Sequence, residues 1–396
     1  MELRRGRSRE ESVYLSRRDC ACASALPAVW TSACLLLLFS TLTPRALCSK
    51  APSGTTTTTT TTTSTNPWIT VSDASQLQTA LNALPASGGT LLLQGLIASG
   101  LGPVSISQSH VTINFVNCQL GYAGNGITIT GTDDALVGDD STTVTAGGVA
   151  VTLDNATSAR VEHLRVAQSG YSAFMVLGTT SGARFVDDYA VNYNGMNVVG
   201  HAGFFIFGPA AHILFEHCSA SNGNGQGFRM DSTTSLPMHV RVVDCEVIGT
   251  GGRSAEGIGP AGTDIWVVHC RVYKTGATGI LLFNGRAGMV FRNIYIVGNS
   301  IGDSSQVAAG NAAIQINPTA NGIQGVVVSN NIAWDDQSSP TSEVMLSLTN
   351  GGQGGTIDSL TITGNLSINQ RNSAGISNSM PVANVTNSSV GLSTAF

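Results

Sequence analysis

A six-residue pattern that returns along most of the chain constrains the fold more than any other feature. It reads VEHLRV at Val161–Val166, FVDDYA at Phe185–Ala190, FEHCSA at Phe215–Ala220, VVDCEV at Val242–Val247 and VVHCRV at Val267–Val272. FRNIYI at Phe291–Ile296, VSNNIA at Val328–Ala333 and ITGNLS at Ile362–Ser367 continue the series. Each opens on an apolar residue, passes two mostly polar ones, and reaches a Cys, Asn or apolar residue that we read as inward. A second series alternates with the first: Phe174–Leu177, Phe204–Phe207, Phe228–Asp231, Ile258–Ala261, Ile280–Phe283, Ile314–Asn317 and Met345–Leu348. Fixed strand patterns at irregular intervals mean turns of variable length on a constant strand frame.

The composition agrees. The chain carries 46 Gly and only 11 % charged residues, which favours short strands and many turns over long helices. Two or three short strands per repeat, with glycine at the corners, predict an all-β, single-stranded right-handed parallel β-helix of about ten coils. A leucine-rich repeat needs a Leu-x-x-Leu-x-Leu frame, which is absent. A propeller needs longer, four-stranded blades. Before the first coil, Ala74, Leu77, Ala80, Leu81 and Leu84 form one helical stripe that Ser72 or Asp73 caps. Such a short helix covers the open end of the solenoid.

Residues 1–48 read as a secretory signal. Six arginines fall in the first 18 residues, an apolar stretch runs from Ala23 to Leu42, and Ala46-Leu47-Cys48 supplies a small-x-small cleavage site. A signal anchor is the rival, and a membrane partner follows only from that. Residues 49–67 form a spacer built on an unbroken threonine run, Thr55 to Thr63. The β-helix is expected over residues 68–380, with a tail at 381–396. A secreted, extracellular or cell-wall location follows. Asn155, Asn384 and Asn387 head glycosylation sequons; Asn365 heads another but is expected to face inward. The net charge of −5 leaves no footprint for nucleic acid.

Of eight cysteines, Cys20, Cys22, Cys34 and Cys48 lie in the leader. Cys218, Cys245 and Cys270 take the inward slot of consecutive coils and read as a core thiol stack; one disulfide stays open given secretion. The residues just before that slot are His163, Asp187, His217, Asp244, His269, Asn293 and Asn330, read as a polar turn ladder rather than a metal site.

From Val71 to Gly95, a helix, Gly88-Gly89-Thr90 and an apolar strand resemble the start of pectate-lyase-superfamily domains. The repeats from Trp68 to Met380 resemble the generic parallel β-helix repeat, in which an inward Asn stacks from coil to coil. A Thr-rich spacer before such a domain also resembles the wall lectins of cyst-forming protists. The first resemblance implies the fold; that fold hosts lyases, epimerases, hydrolases and wall-binding proteins. Asp187-Asp188 and Gly200-His201-Ala202-Gly203 resemble fragments of galacturonase hydrolases, but they fall in different turn columns, with Asp188 in an inward slot.

In the second series the second and fourth residues point outward. One outward column reads Met175, Phe205, Arg229, Gly259, Leu281, Gln315; its companion reads Leu177, Phe207, Asp231, Ala261, Phe283, Asn317. Flanking turns add His201, Glu256, Lys274, Asn284 and Arg286. Apolar rings take the faces of sugars while Arg, Asp, Asn and Gln bond hydroxyls, so a polysaccharide is the expected partner. Its ligands are Phe205, Phe207, Arg229, Asp231, Leu281, Phe283, Gln315 and Asn317. Three readings stay open: a glycan-binding, lectin-like protein; a polysaccharide lyase or epimerase acting on an acidic polysaccharide through Asp231, Arg229, Lys274 and His201; and a structural or adhesive solenoid. No cofactor is expected for the first, whereas a lyase could take Ca²⁺. Oligomeric state is not legible.

Overall fold

A computed structural model describes residues 68–393 apart from 234, 253–254, 287, 320, 373, 381 and 384–389. The signal segment 1–48, the spacer 49–67, the four leader cysteines, Asn384 and Asn387 lie outside the described residues. Each complete coil contributes a strand to each of three sheets, A, B and C, visited in that order. Sheet A has thirteen strands, B twelve and C eleven, and every pairing is parallel. The chain therefore forms a right-handed parallel β-helix. At about 4.8 Å per rung, sheet A is about 60 Å long.

Eleven complete coils among the described residues, with partial ones at either end, agree with the expected number of about ten. The early rungs, such as Val104–Ile106, Ile127–Ile129 and Ala135–Val137, are three-residue strands, too short to show the six-residue pattern. The stack also runs past Met380. Val382–Ala383 joins sheet A and Val390–Ser393 joins sheet B. At the other end, a 3₁₀ turn Ala74–Gln76 leads into the helix Leu77–Asn82. The Asp73 side chain caps it by accepting from Ser75 N, and Leu77 and Leu81 are buried. Among the described residues, no helix is long and apolar enough to cross a membrane.

The interior is layered by rung. Phe174, Phe204 and Phe228 stack with centroids 4.8 and 4.7 Å apart, and Phe185 stacks on Phe215 at 4.9 Å. The turn from sheet A to sheet B is the most regular. Its first residue is left-handed in successive coils: His163, Asp187, His217, Asp244, His269, Gly298, Asn330 and Gly364, with φ between 51° and 69°. Polar residues and Gly tolerate that conformation best. The next residue turns inward: Leu164, Asp188, Cys218, Cys245, Cys270, Asn299, Asn331 and Asn365, all buried. Asn293 therefore does not belong to this column. It sits in a second left-handed column within sheet A, bonded to Asp264 at 2.6 Å. Likewise the coil at 345–348 is shifted by one, since Leu346 pairs with Ile314.

The inward cysteines are free thiols, donating to backbone carbonyls such as Phe185 O (3.4 Å) and Val242 O (3.4 Å). The asparagines form a continuous amide ladder. Asn299 Nδ2 donates to Asn331 Oδ1 and Asn331 Nδ2 to Asn365 Oδ1, both at 2.9 Å. Asn365 is thus committed to the core. Asn155 is exposed, its Oδ1 accepting from Thr179 N at 3.0 Å.

Candidate functional site

Side chains alternate across each strand, so sheet C shows two columns to solvent. Backbone pairing aligns Met175, Phe205, Arg229 and Gly259 in one column, and Leu177, Phe207 and Asp231 in the other. At Gly259 the outward column loses its side chain. The strand there is only Ile258–Gly259, and Pro260 follows. A Cβ at Gly259 would come within 3.2 Å of Gln226 Oε1. The missing side chain, together with the turns that rise on either side, opens a cleft of about 720 Å³. One wall is the segment 197–201. Asn194 holds it, donating to Val198 O (3.0 Å) and accepting from Val198 N (2.9 Å). Leu281, Phe283 and Arg286 form the other side.

The cleft collects the charged groups of this face. Asp231 accepts from Arg229 Nη2 at 2.7 Å and from Arg286 Nε and Nη2 at 2.9–3.1 Å. Arg286 reaches back from the turn after Ile280–Phe283, whose own strand lies two rungs beyond Asp231. Burial works against ionisation of Asp231. The hydrogen bonds and charges of Arg229 and Arg286 together outweigh it and hold the carboxyl below the ordinary carboxylate range. Glu256 behaves oppositely: burial pushes its carboxyl up, only partly offset by the hydrogen bond from Gln226 Nε2 (2.7 Å) and the charge of Arg229. His201 is pulled below the ordinary imidazole value by burial and by Arg229; its Nδ1 lies 3.1 Å from Ser172 Oγ. Gln226 Oε1 is buried with no partner among the described residues.

The structure brings together His201, Arg229, Asp231, Leu281 and Phe283, and adds Gln226, Glu256, Gly259 and Arg286 to them. It changes the expected phenylalanine strip. Phe205 is only 6 % exposed, lying beneath the Arg229 guanidinium at 5.4 Å and beside Phe207 at 5.7 Å. Phe283, 49 % exposed, lines the cleft as an open ring, whereas the half-buried Phe207 does not line it. Gln315 and Asn317 face outward in line with Leu281 and Phe283 but do not line the cleft; Asn317 Oδ1 accepts from Thr319 N. Lys274 is not part of the cluster. It occupies a left-handed turn position at the end of a sheet B strand, its ammonium 4.9 Å from the Tyr273 ring centre.

The galacturonase-like fragments separate as well. Asp187 stands in the outer turn between His163 and His217, at 3.8 and 3.7 Å. Asp188 is fully buried and accepts from Leu164 N at 2.8 Å; burial pushes its carboxyl well above the usual range. Among the described residues, no three His, Cys, Asp or Glu gather closely enough to hold a metal ion.

No curated protein sequence matches the chain. Solved structures do, by fold. The endo-xylogalacturonan hydrolase of Aspergillus tubingensis aligns over 80 % of this chain and 100 % of its own, at 13 % identity and TM-score 0.60. A mannuronan C-5 epimerase A-module of Azotobacter vinelandii aligns over 82 % and 97 %, at 16 % identity and TM-score 0.54. The tailspike protein of E. coli bacteriophage HK620, solved with a pentasaccharide, aligns over 81 % of this chain at 14 % identity and TM-score 0.59. The chain spans 63 % of that tailspike and 62 % of the Dettilon tailspike. At such identities the likeness is one of fold. The family described as "Right handed beta helix region" matches residues 102–301, half of the sequence, and the chain belongs to that family.

Proposed function

We propose that the chain is a secreted glycan-binding protein of a wall or extracellular matrix, and that a polysaccharide lies along the sheet C face with one stretch seated in the Gly259 cleft. The observation that carries this reading is the cleft lining itself, in which the exposed ring of Phe283 stands with the guanidiniums of Arg229 and Arg286. Phe283 and Leu281 offer apolar surface to a ring face, while Arg229, Arg286 and Glu256 supply polar contacts. This is the mixture that ligand sites use. The solved structures of similar fold include a tailspike in complex with a pentasaccharide and enzymes named for polysaccharide substrates, which lends the reading support. Binding of this kind uses no metal.

A second reading, a polysaccharide lyase or epimerase, is favoured by one observation. Glu256 and Asp231 line one cleft with ionisation pushed in opposite directions, the arrangement that separates an acid from a base. Its residues are then Asp231, Arg229, His201 and Glu256, without Lys274. Both readings are tested by incubating the full-length chain with insoluble and acidic polysaccharides. Retention is scored by pull-down, cleavage by chain length and by the ultraviolet absorbance of unsaturated ends, and epimerisation by proton NMR of the recovered polymer. Retention with unchanged chain length, absorbance and sugar stereochemistry supports binding, and a changed stereochemistry identifies an epimerase. Rising absorbance identifies a lyase, and failure to retain any polymer overturns the binding reading.

A further inference from the structure

We propose that the Arg229–Asp231–Arg286 cluster is an anion subsite, so that the glycan seated in the cleft carries negatively charged sugars. This inference rests on the glycan-binding reading and names the class of glycan.

The argument begins with a surplus. One carboxylate, Asp231, lies between two guanidiniums, a formal charge of +1 for this trio, and the other carboxylate lining the cleft, Glu256, bonds Gln226 rather than either arginine. A single guanidinium already neutralises a carboxylate and matches it with two parallel bonds. Arg286 does this alone, through Nε and Nη2. Arg229 is therefore extra, and its position is fixed. Its guanidinium lies over Phe205 and its Nη2 bonds Asp231, so its plane is held before any ligand arrives.

Donors remain as well. A guanidinium carries five N–H groups. Among the described residues, no hydrogen bond uses the Nη1 of Arg229 or of Arg286, and both side chains line the cleft. Arg286 keeps 42 % of its side chain exposed. The other polar end of the cleft is built differently. Glu256 lies beside Gln226, and Gln226 and Asp231 stand at opposite ends of one six-residue strand. The cleft thus has a carboxyl–amide end and a cationic end. A neutral polymer leaves the cationic end unmatched. A uronate carboxylate or a sulfate ester pairs with it, and both present oxygens at the spacing a guanidinium edge recognises.

The test uses the full-length chain with four soluble probes: polygalacturonate, its fully methyl-esterified form, a sulfated galactan and a neutral galactan. Binding is measured at about 0.01 M and at about 1 M NaCl, between which the screening length falls from about 30 Å to about 3 Å. Retention of polygalacturonate or of the sulfated galactan at least about tenfold above its uncharged counterpart, lost at high salt, is the expected result. Which of the two is retained identifies the source of the charge. R286Q should weaken that binding about tenfold, while K274A, which lies outside the cleft, should leave it unchanged. Salt dependence of the unaltered chain provides the same test should R286Q fold poorly. Equal retention of charged and uncharged forms, insensitive to salt, overturns the anion subsite while glycan binding stands. Retention of none of the four, nor of any insoluble polysaccharide, overturns both.

Discussion

Asp188 and Asn299 occupy equivalent slots in the turn from sheet A to sheet B, each accepting from the backbone N–H of the preceding coil's inward residue at 2.8 and 2.9 Å. The amide suits the slot and the carboxyl does not. Asn299 also donates, to Val267 O at 3.0 Å, whereas Asp188 Oδ2 has no partner among the described residues. Burial pushes the Asp188 carboxyl of the folded chain well above 3.8, the ordinary value at which the unfolded chain releases its proton. Unfolding above that pH therefore releases a proton, and stability falls as pH rises from 3.8 towards the raised folded value. Asp188→Asn should raise the melting temperature at neutral pH, with the gain shrinking as pH approaches 3.8. A gain that does not change with pH would mean that Asp188 is not held neutral. Gly259 is the matching residue on the floor of the cleft. Gly259→Leu should fill the cleft and weaken glycan retention at least about tenfold, with the melting temperature lowered only as far as the Gln226 amide resists displacement.

At the scale of the strand and turn, the amide ladder is the feature with the largest energetic consequence. Asn331 accepts from Asn299 N and Nδ2, and its own amide donates to Ile296 O and Asn365 Oδ1. Asn331→Leu orphans several buried groups at once, each costing about 1–3 kcal/mol. The expected loss is at least about 3 kcal/mol in chemical denaturation, against well under 1 kcal/mol for a polar substitution at an exposed strand position. This ladder was largely legible in the sequence, because an apolar residue, two polar ones and then Cys or Asn repeat together. It failed at one coil. There the left-handed position is Gly298 rather than a polar residue, so FRNIYI at Phe291–Ile296 looked like the better match although the turn itself is Gly298-Asn299. The outward columns of sheet C were readable from alternation alone. The cleft was not, because its depth depends on a missing side chain at Gly259 and on turns that lift Glu256 and Arg286. Strand patterns carry no information on where such turns go. Phe205 was misjudged for a related reason: its outward direction is correct, but Arg229 on the next rung covers it.

Considered as a whole, the β-helix has almost no local unit that can stand alone, since each coil buries its interior only against its neighbours. The three stacked thiols on consecutive coils, Cys218, Cys245 and Cys270, should accordingly open together, and Cys118 is held in the core of an earlier coil. All are buried, and burial, with hydrogen bonds from Cys218 and Cys270, pushes the Cys245 thiol well above its ordinary 9.0. Alkylation of the native chain followed by peptide mapping should leave all four unmodified, and their labelling in denaturant should follow the loss of β-structure. Labelling of Cys245 alone, without unfolding, would show that the stack opens locally.

The change of inward residue from cysteine to asparagine after Cys270 has a consequence for how the stack forms. Parallel coils of similar outline are nearly interchangeable partners, and a newly added coil risks docking one place out of step. Asn299, Asn331 and Asn365 bond one another only on adjacent coils, and an asparagine docked out of step, with a thiol or Leu164 on both sides, loses its amide–amide bonds. The three amides act as a counting mark, a place on an otherwise repetitive rod where the chain can tell which coil it is.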